Sequence, residues 1–383
     1  MPLALLIFIA TAPEREAVVT TPTSVLAGPD AGAPVIGALM GSAPVTVTAC
    51  VPTCDAPRGW AVLGAGGVVP LRVLAFPDGG RAPFEPPRYR WVVARDRDGG
   101  VLVRSRPKPD ASVLVEEPGL KTLAVLGGDD DLLGRGWLER PIGGFVSTND
   151  VTLLRDHSTM LGEREPALPL VFAFRRTSLR VADSPDGSVA VEKYARAPLL
   201  ALTSDGGVHV DGGVLPGSGV RIAWPQAKPE GVPDGGAWLH VNLAEQTLTA
   251  WEGATPVFAT LISAGSNQTD RRTRTGLHRV YVKALHDRMR GDEYFIEEVP
   301  FIQYFERGQG LHAAAWHNRY GQAVTHGCVN LSTADAEWLF EWSPPRLPTG
   351  WHTLWPGPAG AESLWVLIDR TPRTLADGGL RTW

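Results

Sequence analysis

Cysteine is scarce in this sequence, with three residues in 383, at positions 50, 54 and 328. So few exclude a disulfide-built scaffold. An excess of positive charge is missing too. Thirty-six Lys and Arg stand against 41 Asp and Glu, for a net charge of −5, and nothing resembles the basic stripe that nucleic-acid binding needs. No run reaches the roughly 18 unbroken apolar residues of a membrane-spanning helix. Long helical patterns are rare, because 33 Pro and 43 Gly punctuate the chain. Short strands joined by tight turns are therefore expected. Apolar residues are plentiful at 44%, enough for each unit to bury a core. At roughly 150 residues per domain, the length allows two to four units.

Cys50 and Cys54 flank Val51-Pro52-Thr53. They read either as a small-loop disulfide, which requires an oxidising compartment, or as two separate thiols. No second Cys or His pair lies close enough to make a zinc site there. Cys328 is the odd thiol, and an odd thiol in an exported chain is a candidate reactive group. Residues 1–12 form an apolar run ending Ala10-Thr11-Ala12. It reads as the core and small-residue end of a signal segment, with a hydrophobic first strand as the competing reading.

The first 225 residues carry a degenerate repeat. Arg58-Gly59-Trp60 is followed by Gly66-Gly67-Val68-Val69, and Arg135-Gly136-Trp137 by Gly143-Gly144-Phe145-Val146. Pro29-Asp30, Pro109-Asp110 and Pro185-Asp186 each precede a Val- or Leu-rich stretch. Units are thus expected near residues 20–80, 88–155 and 168–225, the third without the Gly-Trp element. Each reads as a small β-barrel that resembles bacterial SH3-like modules. Residues 78–87 and 225–233 read as Pro-rich linkers. From 236 to 370 the pattern becomes hairpin-linked strands with one short helix, capped by Ser332, supported by Asp335 three residues later, and stopped by Pro344-Pro345. The expected fold is mainly β, with the C-terminal unit preceded by two or three small β modules.

A thiol becomes a useful nucleophile only as thiolate, which needs a base or a positive field nearby. His312, His317 and His326 all lie within sixteen residues of Cys328. Gly327 permits a tight turn and can leave amides to meet a developing oxyanion. A zinc site from these residues is chemically conceivable, but the His-Gly-Cys turn fits tetrahedral closure poorly, so no metal is expected.

Thr325-His326-Gly327-Cys328-Val329-Asn330, with an upstream His and a following helix, resembles the signature of the L,D-transpeptidase (YkuD-type) family. The likeness extends to the stretch opening at Leu239, to Thr273-Arg274-Thr275-Gly276, and to the segments Val299–Phe305 and Leu311–Asn318. Twelve residues separate His312 from Thr325, a shorter gap than is usual in the family, and Ala313 and Arg274 replace its common Gly and Pro.

The resemblance implies a β-rich YkuD-like catalytic domain over 236–370. Cys328 would be the nucleophile and His312 the general base, its ring oriented by the Ala313 carbonyl. His326 would be a second pocket His. Gly327 and the Cys328 amide would serve the oxyanion, with Thr325 and Asn330 supporting the turn. Tyr304, Trp316 and His317 would line the substrate site. The implied substrates are peptidoglycan stem peptides, joined 3→3 through a thioester, with carbapenems as covalent inhibitors and no cofactor. A carboxypeptidase or a protein-to-wall anchoring enzyme would use the same site. A non-catalytic wall-binding adaptor is the reading of another class, and the β modules could bind wall glycan or act as spacers. An exported protein of the periplasm or cell envelope is the implied setting.

Overall fold

The computed structural model describes residues 14–56, 58–77, 89–95, 100–117, 122–127, 134, 136–141, 143–153, 160–181, 187–266, 268–291, 294–355 and 363–371. The signal-like segment 1–12, the first linker and Pro185-Asp186 lie outside them. The mainly β expectation is met, and the helix after the Cys segment is present. The strand Pro44–Val51 alternates partly exposed and buried positions, burying Val45, Val47 and Ala49. That is the two-residue period of a sheet with one wet face. Ala237–Asn242 is instead buried at nearly every position, as befits a strand covered on both sides.

Two sheets build the C-terminal unit. One runs Thr255–Leu261, Thr247–Glu252, Ala237–Asn242, Trp365–Asp369, Gly276–Arg279 in spatial order. The other begins with Val329–Leu331, Gln309–Ala313, Tyr294–Glu306 and Val282–Gly291. Leu239, Val241, Leu248, Ala250, Ile262, Leu311, Val329, Leu331 and Val366 fill the space between them. Helix α1, Thr333–Trp342, adds Ala336, Leu339 and Phe340 to this core. Ser332 caps it as expected, accepting from the Asp335 amide at 3.2 Å. The Asp335 carboxylate does not complete a local capping box. It is fully buried and accepts from the Leu161 and Gly162 amides, at 3.0 and 3.1 Å, and from Thr260 Oγ1 at 2.7 Å. A buried carboxylate needs partners wherever the fold supplies them, and here they come from distant chain.

The N-terminal units are docked to this body. Trp351–Leu354 pairs antiparallel with Val35–Leu39, so the second sheet runs on into the first unit. Cys50 and Cys54 form a disulfide there. The second unit has its own core of Val92, Val101, Val103, Leu123, Val125 and Val146. It also sends Trp91 against Phe301, with ring centroids 4.9 Å apart. Buried Arg140 meets Glu298 at 3.1 Å and Glu117 at 3.5 Å. Ahead of the third unit, Glu163–Arg164 is an edge strand of the C-terminal sheet, paired with Ala259 and Phe258. Nor is 225–233 a loose linker. Val232 is buried against Trp238 and Trp251, and the Lys228 ammonium donates to Val232 O at 2.5 Å. An apolar residue in a Pro-rich stretch found a hydrophobic surface to cover.

Candidate active site

The segment around Cys328 is a tight turn closed by one hydroxyl. Thr325 Oγ1 accepts from the Gly327 amide at 3.1 Å and donates to the Cys328 carbonyl at 2.7 Å. Gly327 has φ +123°, and a Cβ there would lie 2.5 Å from Gln309 Nε2. The positive φ is the conformation that favours glycine. The Gly327 amide, one of the two expected oxyanion donors, donates to the Thr325 hydroxyl. Of the expected pair, the Cys328 amide is the one the turn does not use. Gln309, which sequence reading missed, braces the other side. Its Oε1 accepts from the Arg274 amide at 3.0 Å and its Nε2 donates to Arg272 O at 2.9 Å. A single Gln at the start of a strand carries no sequence signal for such a role.

Val329–Leu331 pairs parallel with Gln309–Ala313, placing Leu311 beside Val329 and His312 beside Asn330. Cys328 immediately precedes this strand. The thiol is partly buried and packs with Ile296, Tyr304 and Trp316 around Met289, Val299 and Ile302. That apolar lining pushes its pKa up to about 11. The Cys328 thiol also lies 4.0 Å from Gly308 O.

His312 is buried, and its Nδ1 donates to Ala313 O at 2.8 Å. That bond leaves Nε2 as the acceptor. Burial pulls the imidazole pKa down to about 4, against the Ala313 bond, which raises it. Burial thus favours the neutral form of each group. The Trp316 ring stacks on His312 at 5.8 Å between centroids.

His317 turns out to brace the site. Its Nδ1 accepts from the Arg319 amide at 3.2 Å, so its Nε2 carries the proton, 3.0 Å from the Asn330 side-chain amide. The tautomer requires Asn330 to present its oxygen there, which also satisfies the otherwise orphaned Asn330 Oδ1. The Asn330 backbone bridges to Ser263 in both directions, at 2.8 and 2.9 Å. His326 is exposed at the edge of the turn. Tyr304 is held by Asp287, to which its hydroxyl donates at 3.4 Å. Its pKa is raised, chiefly by burial.

Residues 236–354 match the family model of the YkuD L,D-transpeptidase catalytic domain. The match covers well under half of the chain and concerns the C-terminal unit alone. Among solved structures, the L,D-transpeptidase from Stackebrandtia nassauensis is 24% identical over 39% of this chain and 64% of its own, with a TM-score of 0.28. The chain thus spans less than two thirds of that protein. The catalytic domain of the E. faecium L,D-transpeptidase is 20% identical over 35% of this chain and 98% of its own, with a TM-score of 0.27. The L,D-transpeptidase from Mycobacterium smegmatis is 12% identical over 75% of this chain and 100% of its own, with a TM-score of 0.28. At these scores the structural likenesses carry no argument. No curated protein matches the chain.

Proposed function

We propose that this protein is a cysteine-dependent L,D-transpeptidase acting on peptidoglycan stem peptides. The observation that carries the reading is the Thr325–Cys328 turn, closed by the Thr325 hydroxyl and leading into the strand that pairs in parallel with the one carrying a buried His312, whose Nδ1–H is tied to Ala313 O. As Cys328 Sγ adds to the carbonyl of the donor stem, His312 Nε2 takes the thiol proton. The tetrahedral oxyanion meets the Cys328 amide. Collapse breaks the C–N bond, and the departing D-amino acid takes the proton from His312. A thioester remains. The amine of a second stem attacks it and loses a proton to His312, giving a 3→3 cross-link, and the freed thiolate recovers that proton. Tyr304 and Trp316 form the apolar wall of the donor site, His326 stands at its rim, and His317 acts through Asn330. Carbapenems acylate the same thiol.

The Cys50–Cys54 disulfide supports an oxidising compartment, hence an exported protein of the cell envelope. Among the described residues no helix is long and apolar enough to cross a membrane. The test is incubation of the purified protein with disaccharide-tetrapeptide and mass spectrometry of the products, with Cys328→Ala alongside. Cross-linked dimers from the wild type alone are expected. Equal product from Cys328→Ala would overturn the assignment.

A further inference from the structure

The third β unit stands in contact with the loop that carries Trp316 and His317. Its hold on residues 318–321 is made by several separate groups. The Lys193 ammonium donates to Asn318 O at 2.6 Å, and the Tyr194 hydroxyl donates to the same oxygen. Arg221 Nε donates to Gly321 O at 3.0 Å while its guanidinium lies 4.2 Å from the centre of the Phe174 ring. Gly321 faces Phe174 so closely that a Cβ would sit 2.3 Å from Phe174 Cβ. Tyr320 is buried among Leu161, Leu170, Phe172, Phe174, Ala223, Ala259 and Leu261, mixing side chains of the two units in one cluster.

Two features say this is more than tethering. Tyr194 has φ +70°, a left-handed backbone that a non-glycine residue keeps only when its surroundings impose it, and such residues concentrate at functional sites. The second feature is a continuous series of ring contacts. Tyr194 meets Tyr320 at 6.2 Å, Tyr320 meets His317 at 5.4 Å, His317 meets Trp316 at 6.4 Å, and Trp316 stacks on His312 at 5.8 Å. The series starts in the third unit and ends on the His312 ring.

We propose that the third unit is a built-in positioning element of the active site: Lys193, Tyr194 and Arg221 hold the Asn318–Gly321 loop so that Trp316 fixes the His312 ring and His317 fixes Asn330. The role rests on the transpeptidase reading for its kinetic consequence, but the placement of His312 is measurable without substrate. Closed-packed rings transmit a shift because interiors deform in discrete steps and not smoothly. A small misplacement of a base costs rate more than binding.

The experiment uses the full chain. Tyr194→Phe removes one hydroxyl, and Lys193→Met with Tyr194→Phe removes both donors to Asn318 O. Lys193→Arg is the conservative rescue. Arg176→Ala, which breaks an exposed ion pair with Glu192 in the same unit, is the surface control. Three quantities are read: kcat and KM on disaccharide-tetrapeptide, the imidazole NMR titration of His312, and the melting temperature. In the double variant kcat is expected to fall roughly tenfold with KM changed less. The His312 titration should rise from its acid position toward that of an ordinary histidine. Arg176→Ala and Lys193→Arg should match the wild type. An unchanged His312 titration together with unchanged kcat would overturn the proposal. So would a fall in kcat matched by the loss of folded protein. If the wild type makes no product, the transpeptidase reading fails, while the NMR titration still decides whether the third unit positions His312.

Discussion

Cys328 and His312 illustrate how burial and hydrogen bonding compete at a single residue. A nucleophilic cysteine is commonly activated by a positive neighbour that lowers its pKa. Here the neighbours of the thiol are Met289, Val299, Ile302 and Trp316, and the thiol pKa is raised to about 11. The buried imidazole is held near 4, which favours its neutral form at neutral pH. Alkylation of Cys328 by iodoacetamide should therefore rise roughly tenfold per pH unit between 7 and 10, in step with the thiolate fraction. A plateau already reached at pH 7 would show a resting thiolate–imidazolium pair and contradict this account. His312 adds a stability term of definite sign. Its folded pKa lies below its unfolded value of 6.5, so its contribution is lost as pH falls through that value toward 4.

At the scale of elements, α1 is fastened at both ends by groups from outside the helix. Lys283, fully buried, donates to Phe340 O at 2.6 Å, to Ser343 O at 2.8 Å and to Ser343 Oγ at 3.1 Å, supplying donors where the helix exposes carbonyls, while burial pulls its pKa down to about 7. Asp335 fastens the other end to the strap at 161–162 and to Thr260. Burial raises the Asp335 pKa to about 6 from an ordinary 3.8. The fold thus favours the protonated form. Its stabilising contribution is complete below about pH 3.8 and is lost as pH rises through 6, a loss of up to about 3 kcal/mol. Asp335→Asn keeps an acceptor for both amides, and Thr260 Oγ1 can accept from the new NH2 group. It should match or exceed the wild type at pH 7, with a flatter dependence between pH 4 and 6. Asp335→Ala strands these partners at about 1–3 kcal/mol each and should be weaker at every pH. Denaturant melts across that range decide the point, and equal destabilisation by Asn and Ala would refute it.

For the molecule as a whole, the transpeptidase-like unit is not a bead on a string. Ala259, Leu261 and Tyr320 bury their outer faces against Leu161, Leu170, Phe172 and Phe174. Each large apolar side chain is worth roughly 1.5–3 kcal/mol when fully buried. Losing four such partners rivals the roughly 5–15 kcal/mol by which a domain is stable. A chain starting at residue 226, which still contains the whole family match, should therefore melt lower than one starting at 158. It should also form less Cys328-dependent product. Equal melting and equal activity of the two truncations would show the third unit to be dispensable.

The local pattern by itself determined much of this. Alternation and Gly-Pro punctuation give a β protein. Ser332 and Pro344-Pro345 bound the helix, and Thr325 to Asn330 mark the turn at Cys328 with His312 upstream. These are short-range effects, in which neighbouring residues fix backbone preference or share one turn. Only the tertiary structure decided that the Asp335 carboxylate serves Leu161 and Gly162, that Gln309 braces Gly327, and that His317 supports Asn330. It alone decided that Lys193 and Tyr194 reach Asn318. Those partners are brought together by sheet register and by burial across long stretches of chain, and no spacing in the sequence records which distant group will satisfy a buried polar atom.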